Sequence, residues 1–357
     1  MKPEQHFTIP AAAIDVGYFN TKYAVRAAAD KPMQCGLFPS IAPVLQSEDV
    51  DTIDTKERHN GFVVTIDGLH YFVGEDATAL ASAFEPRHVE RNYVKSGRYL
   101  ALARGALAHI GQLARATGPV RIAHLVVGLP LSTYRIYRDD LKARLQGVHE
   151  VPNYRGRGTM TVTVEDVRVL MQPAGALIHF ADKSGDQLEG ASLVCDIGGG
   201  TMDYLVTTDG FLPNGNRSGA NEFGVLSYCS AVAEKLDPDW VKETPMINMV
   251  DKAIRERTAI KAMGVSYPVE QYWPVLQRSV QSALSVMHAK VQTFNDLNRV
   301  IMVGGGAEVF AEVLVATHPK LKPIMRIEAD SVMSNVRGFC SAAERVAASA
   351  SRAGQSA

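Results

Sequence analysis

Three successive glycines between two apolar segments constrain this chain more than any other feature. Residues 192–208 read SLVCDIGGGTMDYLVTT, and the first apolar run ends at Asp196. This pattern predicts a strand, a tight turn and a second strand. Because glycine has no Cβ, the N–H groups of such a turn can approach an anion closely and form a phosphate cradle. The turn consists of Gly198, Gly199, Gly200 and Thr201. For this segment alone, an ordinary hairpin turn with glycines is the alternative.

A second copy of the pattern lies near the start of the chain. Residues 13–25 read AIDVGYFNTKYAV and repeat the apolar run, the Asp-aliphatic-Gly step from Asp15 to Gly17, the turn and a Tyr-x-Val exit. A pattern that occurs twice indicates two similar half-domains that face one another, each with a phosphate loop for one ligand.

A third glycine cluster follows another apolar strand and opens a helix. Residues 299–310 read RVIMVGGGAEVF. Bare glycine backbone can lie flat against an adenine ring, which any side chain would push away. Three such elements in this order predict a nucleotide held in a cleft between two lobes.

The aspartates before the two phosphate loops indicate a bound cation. Asp15 and Asp196 each end an apolar run just before the turn. A carboxylate beside a phosphate is favourable only if a cation such as Mg²⁺ bridges the two. We expect Asp15 and Asp196 to hold Mg²⁺, through water.

These motifs resemble those of the actin, heat-shock ATPase and sugar-kinase superfamily. Residues 15–22 match its phosphate-1 loop, residues 196–203 its phosphate-2 loop and residues 304–307 its adenosine loop. Within the superfamily the chain looks most like the ParM/StbA-type actin homologues, which segregate plasmids. Supporting segments are HLVVGLPLSTY (124–134), VRVLMQPAGALI (167–178), NEFGVLSYCSAVAEKL (221–236) and SNVRGF (334–339).

The resemblance implies an α/β fold of the actin-like (ribonuclease H-like) type. Such a fold has two lobes, with duplicated mixed β-sheets flanked by helices and a nucleotide cleft between the lobes. We expect domain I, which carries the phosphate-1 loop, to comprise residues 1–180 and 335–357. Domain II, with the phosphate-2 and adenosine loops, is expected to comprise residues 181–334. The last helix is predicted over residues 334–348, with a disordered tail over 350–357.

The resemblance also implies which residues contact the nucleotide. They are Gly17, Tyr18, Phe19, Asn20, Lys22, Gly198, Gly199, Gly200, Thr201, Glu222, Gly304, Gly305, Gly306 and Ala307. Many relatives carry small residues where this chain has Tyr18 and Phe19. Lys22 would reach the β- and γ-phosphates, and a solvated strand-end lysine is the alternative. Glu222, with Gly224, would contact the sugar at the start of a helix over 223–236. A glutamate in a first helical turn is also explained by the helix dipole.

Gln172 stands where relatives carry the glutamine or glutamate that orients the attacking water. Phosphoryl transfer to water depends mostly on positioning and electrostatics, so a neutral amide can do this work. Because an amide does not readily accept a proton, we expect slow hydrolysis. A helix-capping glutamine is the alternative. Asp203 either orients water or a metal-bound water, or pairs with backbone amides in the turn.

Composition excludes several other classes of protein. The chain has 357 residues, 46% of them hydrophobic, which is enough for two cores. Its 37 Lys and Arg residues balance 38 Asp and Glu residues, so no large charge points to nucleic acid or an anionic membrane. The four widely spaced cysteines form no metal-binding pair and are expected to be reduced and structural. With neither a signal peptide nor a transmembrane stretch in view, a cytoplasmic location is expected.

The sequence therefore predicts an actin-like ATPase that uses ATP/ADP and Mg²⁺ and assembles into filaments. The catalytic residues would be Gln172, Asp15, Asp196 and Asp203. By resemblance, the filaments would move plasmids through a DNA-binding adaptor protein, because the chain has no nucleic-acid motif of its own. A small-molecule kinase of the same superfamily is one alternative, although it needs an acidic base where this chain has Gln172. A chaperone-type ATPase would need a client-binding domain beyond the nucleotide fold. A scaffold that binds nucleotide without polymerising is the third alternative.

Overall fold

The structure, a computed structural model, describes residues 6–28, 30–46, 59–85, 87, 90–155 and 158–355, without the side chains of 353–355. The chain divides into two compact units. The first unit comprises Met1–Ala81, Val89–Gly185 and Met333–Ala357, and the second comprises Ser82–His88 and Asp186–Val332.

The strands of the first unit are β1 (Phe7–Val16), β2 (Asn20–Arg26), β3 (Gln34–Pro39), β4 (Val44–Leu45), β5 (Gly61–Ile66), β6 (Leu69–Gly74), β7 (Val120–Leu129), β8 (Gly147–Pro152) and β9 (Thr159–Met171). Those of the second unit are β10 (Ala191–Ile197), β11 (Met202–Thr208), β12 (Leu212–Pro213), β13 (Gly219–Asn221), β14 (Ala259–Ala262), β15 (Val265–Pro268), β16 (Leu297–Val303) and β17 (Met325–Ile327).

The α-helices are, in chain order, α1 (Ala77–Leu80), α2 (Gly97–Leu113), α3 (Leu131–Leu145), α4 (Gln172–Ser184), α5 (Val225–Leu236), α6 (Thr244–Glu256), α7 (Trp273–Val291), α8 (Ala307–Thr317) and α9 (Ser334–Gln355). Short 3₁₀ helices are Tyr93–Lys95, Pro238–Lys242, Val269–Tyr272, Pro319–Ile324 and Ser331–Met333.

The main sheet of the first unit is mixed, with the strand order β3-β2-β1-β7-β9-β8. β1 pairs antiparallel with β2 and parallel with β7, and β7 pairs parallel with β9. Strands β4, β6 and β5 form a second, smaller sheet. The hairpin predicted over residues 13–25 is therefore confirmed, and it lies in the middle of the main sheet.

Strand β1 separates two apolar cores because successive side chains alternate between the faces of a sheet. Ala11 and Ala13 belong to one core, together with Phe339 of α9. Ile14 belongs to the other core, together with Leu102 of α2. Burial on both faces fixes the register of β1, since a shift by one residue would exchange the two sets.

Helices α4 and α9 approach each other at two glycines. A Cβ on Gly338 would overlap the carbonyl oxygen of Gly175, so this crossing tolerates no side chain. Helix α9 starts at Ser334 as predicted, but it continues to Gln355. The prediction of a disordered tail from residue 350 is therefore wrong up to residue 355. Alanine is the best helix former, and the alanine-rich run after residue 346 explains the extension.

The second unit repeats the centre of the first. Its sheet has the order β12-β11-β10-β16-β17, with β13 also on β11. β10 pairs antiparallel with β11 and parallel with β16, and β16 pairs parallel with β17. Each unit thus contains a hairpin followed by two parallel strands. The predicted duplication of mixed sheets flanked by helices is confirmed.

Helix α7 buries the apolar stripe predicted for this part of the chain. The stripe consists of Leu276, Val280, Leu284, Met287 and Val291, all of them buried. The sulfur of Met287 lies 3.6 Å from that of Cys195 in β10, which places α7 on the sheet of the second unit. The four cysteines, all within the described residues, are free thiols, as expected. Among the described residues, no helix combines the length and apolar character needed to cross a membrane.

Candidate functional site: two phosphate-loop hairpins and a glycine loop

The first hairpin joins β1 to β2 through residues 17–19. Its turn closes with a hydrogen bond from the N–H of Gly17 to the carbonyl of Asn20, 3.1 Å long. Asp15 lies opposite Lys22 in the strand pair, and the ammonium of Lys22 is 2.9 Å from Oδ2 of Asp15. Asp15 is fully buried. Since a buried charge needs a partner, Lys22 compensates Asp15 within the first unit.

The second hairpin closes in the same way but carries different charges. The N–H of Gly198 donates to the carbonyl of Thr201 at 2.9 Å. Asp196 lies opposite Asp203, which therefore takes the position that Lys22 has in the first hairpin. Both aspartates are buried. The hydroxyl of Thr201 donates to Oδ2 of Asp203 at 2.9 Å and fixes that carboxylate.

The carbonyl groups of the second loop face helix α5. The N–H groups of Val225 and Leu226, in the first turn of α5, donate to the carbonyls of Gly198 and Gly199 at 3.0 and 2.8 Å. Within the part of the chain that the structure describes, the N–H groups that follow in the loop have no acceptor. These are the N–H groups of Gly199, Gly200 and Thr201. Consecutive N–H donors of this kind form an anion-binding concavity.

Helix α5 starts later than the sequence predicted. Its N-cap is Gly224, and a Cβ there would lie 2.5 Å from the carbonyl oxygen of Gly199. Asn221 still pairs with Met202 in the sheet, which keeps the chain extended up to that residue. Glu222 is therefore exposed and precedes the helix, and the prediction that it opens the helix is wrong. The helix dipole consequently does not explain Glu222.

The glycine loop after β16 uses its three glycines differently. Gly304 has φ +87°, and a Cβ on it would lie 2.7 Å from Oδ1 of Asp196. A Cβ on Gly306 would overlap the side chain of Ile197. Gly305 is exposed, and a Cβ there would meet its nearest neighbour, Val225, only at 3.8 Å. Gly305 alone presents bare backbone outward, whereas packing explains the other two glycines.

Two further residues frame this loop. Ala307 begins α8 and is buried, so its methyl group is part of the core of the second unit. The carbonyl of Ser331 accepts from the N–H of Gly304 at 3.1 Å, and the hydroxyl of Ser331 donates to the carbonyl of Gly304 at 3.0 Å. Ser331 could not be found from the sequence, because it belongs to no motif and lies beyond the predicted loop.

Tyr18 and Phe19 are anchored within the first unit. The Tyr18 ring stacks on Tyr93 with a centroid distance of 5.8 Å, and its hydroxyl donates to the carbonyl of Glu90 at 3.3 Å. The carbonyl of Phe19 accepts from the N–H of Ser40 at 2.9 Å. The large side chain at Tyr18 therefore serves to hold the loop. No sequence signal pointed to Tyr93 or Glu90.

Gln172 is the first residue of α4 and follows β9 directly, as predicted. Its Nε2 donates to Oδ1 of Asp15 at 2.7 Å. Gln172 is 7% exposed, and the N-cap of the helix is Met171, without a side-chain cap. The side chain of Gln172 is thus directed at Asp15 and does not cap the helix.

Tyr99 places a neutral hydroxyl in the neighbourhood of Asp15. Burial raises the pKa of Tyr99 far above its usual value, and the charge of Asp15 adds to this effect. The hydroxyl therefore stays protonated at any physiological pH. This arrangement gives Asp15 a polar but uncharged neighbour.

Each hairpin offers one buried carboxylate as a candidate ligand for a cation. Within the described residues there is no group of three or more His, Cys, Asp and Glu side chains that would hold a metal. Mg²⁺ is commonly held by one or two carboxylates together with waters and substrate phosphates. Asp15 in the first unit and Asp196 in the second are each a carboxylate of this kind, next to a turn closed by a glycine N–H.

Comparison with known proteins identifies both halves of the chain. Residues 13–175 match the family model of the N-terminal domain of actin-like proteins. Residues 194–316 match the model of the C-terminal domain of the archaeal MreB-like actin homologue. A search of curated protein sequences found no match.

Several solved structures share the fold at low sequence identity. Ta0583, an archaeal actin homologue in complex with ADP, has a TM-score of 0.71 and 21% identity over 94% of this chain and 99% of its own. The actin-like protein Alp7A has a TM-score of 0.74 and 18% identity over 98% and 100%. A 15-stranded ParM filament from Clostridium botulinum gives 0.69 and 18% over 96% and 99%. Both family matches are to actin-like proteins and together they span most of the chain, so this chain belongs to the actin-like protein superfamily, and its fold is similar to that of the ParM proteins.

Proposed function

We propose that this chain binds and hydrolyses ATP with Mg²⁺ and assembles into filaments in a nucleotide-dependent manner. The observation that carries this proposal is the repeated hairpin. Each unit has a turn closed by the same glycine N–H bond, with a buried aspartate two residues before that glycine. Two copies of a turn suited to binding phosphate are consistent with a ligand that carries several phosphates. The two units would correspond to actin-like domains I and II, for which the sequence predicts residues 1–180 with 335–357 and residues 181–334.

The phosphates would be bound mainly by backbone N–H groups. In the second unit the carbonyls of the loop are already occupied by α5, so its remaining N–H groups favour an anion. The first loop, from Gly17 to Asn20, would contribute in the same way. Lys22 would add its charge, although it also compensates Asp15. The exposed backbone of Gly305 would lie against the adenine, and the exposed Glu222 would contact the ribose.

Hydrolysis would depend on Gln172, Asp15, Asp196 and Asp203. Asp15 and Asp196 would hold Mg²⁺ through water molecules. When bound, the Mg²⁺ ion would neutralise charge on the phosphates. Gln172 would orient the attacking water, and Asp203, held by Thr201, would orient a second water. An amide positions water without accepting its proton, so turnover is expected to be slow.

Filament assembly and plasmid segregation are proposed from family membership. One structure with a similar fold is a 15-stranded ParM filament from Clostridium botulinum. Self-association of this chain would couple ATP binding to growth of the polymer. The chain carries a formal net charge of −1, so contact with plasmid DNA would require a DNA-binding adaptor protein. We expect the purified chain alone not to bind plasmid DNA in a gel-shift assay.

Phosphate release and light scattering test these activities separately. Purified protein is incubated with Mg-ATP, Mg-GTP, Mg-ADP or no nucleotide, and filaments are examined by negative-stain microscopy. We expect filaments and slow phosphate release with Mg-ATP. Protein that stays monomeric at all concentrations in every nucleotide would refute the filament proposal. Phosphate release that requires an added sugar would support the small-molecule kinase instead.

Two substitutions separate metal binding from water positioning. Asp196→Ala should abolish Mg-dependent turnover. Gln172→Ala should leave nucleotide affinity nearly unchanged and slow hydrolysis by roughly 100-fold, as expected for loss of a group that acts on the reacting water. An equal loss of nucleotide affinity in both variants would show that Gln172 does not act on the water.

A further inference from the structure

The amide of Gln172 contacts Asp15 through its nitrogen. Nε2 of Gln172 lies 2.7 Å from Oδ1 of Asp15, and Nζ of Lys22 lies 2.9 Å from Oδ2. Asp15 is fully buried, and both partners are nearly so. Each oxygen of this carboxylate therefore accepts a hydrogen bond from a side chain of the same unit.

The chemistry of a carboxylate decides which end of the amide faces it. An ionised carboxylate only accepts hydrogen bonds, whereas an amide has a donor end and an acceptor end. Only the nitrogen of Gln172 can therefore lie against Asp15. The ammonium of Lys22 on the second oxygen supplies the opposite charge. The carbonyl oxygen Oε1 of Gln172 consequently points away from Asp15.

The stem of Gln172 is also held in place. A Cβ on Gly128 would lie 3.1 Å from Cγ of Gln172 and would overlap the ring of Phe339. Gln172 thus packs against glycine backbone on the side of β7. Pro173, in the first turn of α4, restricts the backbone that follows. With its stem packed and its nitrogen anchored, the amide has a single orientation.

From this geometry we infer that Asp15 is a positioning residue for Gln172. Asp15 fixes the amide so that Oε1 is the acceptor presented to the attacking water. The inference rests on the proposed ATP hydrolysis and gives Asp15 a role in it besides metal binding. A water that donates to Oε1 keeps a lone pair for phosphorus, whereas a reversed amide would donate to that lone pair and oppose the attack.

This orientation serves the attack of water on the γ-phosphorus. The water oxygen forms a bond to the γ-phosphorus while the bond from that phosphorus to the bridging oxygen breaks. The bridging oxygen leaves with ADP, and the water proton passes to the released phosphate. Towards the water, Gln172 acts only as a hydrogen-bond acceptor, and it is chemically unchanged at the end of the step.

A reversed pair of residues tests the contact without nucleotide. Thermal unfolding is measured in EDTA for the wild type, Gln172→Glu, Asp15→Asn and the double variant. Gln172→Glu puts a carboxylate against a carboxylate, so its midpoint should fall by about 5 °C or more. In the double variant the new asparagine can donate to the new glutamate. The double variant should therefore unfold at a higher temperature than Gln172→Glu alone.

Gln146 provides a matched control for the loss of an amide donor. Its Nε2 donates to the backbone carbonyl of Glu165 at 2.8 Å on an exposed surface. Gln146→Glu removes the same kind of donor without bringing two carboxylates together. We expect its midpoint to change by less than about 2 °C, as for surface substitutions in general.

A spectroscopic measurement on the wild type makes the test independent of how the variants fold. In protein labelled with ¹⁵N-glutamine, Gln172→Glu identifies the side-chain amide signal of Gln172. The amide proton bonded to Asp15 should exchange with solvent at least about tenfold more slowly than that of the exposed Gln146, because exchange requires the hydrogen bond to open.

These outcomes decide whether Asp15 holds the amide of Gln172, without reference to ATP hydrolysis. Recovery in the double variant together with a protected Gln172 amide would support it. Absence of recovery, or a Gln172 amide that exchanges as fast as that of Gln146, would overturn it. If the double variant recovers but the wild type releases no phosphate from ATP, the proposed function is refuted while the contact between Gln172 and Asp15 is established. Failure of the proposed function can therefore be distinguished from failure of the inferred contact.

Discussion

Lys22 and Asp15 form an ion pair across β1 and β2 in which the aspartate is fully buried and the lysine side chain is 13% exposed. The N–O distance is 2.9 Å. In the second hairpin the position of Lys22 is occupied by Asp203, so the strand position that carries a cation in the first unit carries an anion in the second. The two hairpins share a backbone but differ in their electrostatics.

Loss of Lys22 should therefore destabilise the protein. Lys22→Met keeps the length of the side chain and leaves Asp15 without its cation. We expect the free energy of unfolding, measured by urea titration in EDTA, to fall by about 3 kcal/mol, as is typical when one partner of a buried pair is removed. Lys242→Met is the control, because the Lys242–Asp239 pair is exposed at both ends. An equal effect of the two substitutions would contradict a buried pair at Asp15.

Gly304 and Gly305 should respond differently to alanine. Gly304→Ala introduces a Cβ at positive φ and beside Asp196, so it should lower stability by about 1–3 kcal/mol, as overpacking does. The Cβ of Gly305→Ala would meet Val225 at an ordinary contact distance of 3.8 Å, so this substitution should leave stability unchanged. If adenine lies on this backbone, Gly305→Ala should nevertheless weaken binding of a fluorescent ATP analogue by about tenfold, or roughly 1.4 kcal/mol. Unchanged affinity would show that the base lies elsewhere.

The crossing of α4 and α9 should not tolerate a methyl group. Gly338→Ala would overlap the carbonyl oxygen of Gly175, which belongs to rigid helix backbone. We expect a loss of about 3 kcal/mol in the free energy of unfolding. Gly111→Ala in α2 is the matched control, since its Cβ would meet side chains and no backbone: the flexible end of Met160 at 2.8 Å and the ring of Tyr154 at 3.1 Å. Thermal unfolding of both variants checks this, and similar midpoints would argue against the close crossing.

His109 should make the stability of the protein depend on pH. Its ring stacks on Tyr23 at 4.9 Å and also contacts Phe38 and Phe62. Burial lowers the pKa of His109, and its contact with Gln112 opposes this only in part. The unfolded chain therefore binds a proton more readily than the folded protein. Stability is fully present at neutral pH and falls as the pH drops below about 6.5, the usual histidine value.

Urea midpoints between pH 5 and pH 8 test this dependence. His109→Phe keeps an aromatic ring in the stack and removes the titrating group, so the loss of stability at low pH should become smaller. Part of the loss should remain, because burial also lowers the pKa of His149. A curve for His109→Phe that parallels that of the wild type would show that His109 is not responsible.

The local elements could be predicted from the sequence because their signals are local. The Asp-x-Gly steps at residues 15–17 and 196–198 predicted both hairpins. The spacing of Leu276, Val280 and Leu284 predicted a buried helix face. Predictions at element ends were less accurate. Glu222 precedes α5 because the pairing of β13 with β11 holds the chain extended up to Asn221, and the residue types around Glu222 do not encode that pairing.

By itself, then, the sequence determined the duplicated hairpins, the third glycine loop and the family to which the chain belongs, because each of these is a short pattern of residue types. Tertiary structure alone decided that Gln172 and Asp15, 157 residues apart, share a hydrogen bond. It also decided that Tyr18 stacks on Tyr93 and that Lys22 forms an ion pair with Asp15. The reason is physical: a contact between two distant residues depends on the packing of the sheets and helices that carry them, and no local pattern encodes it.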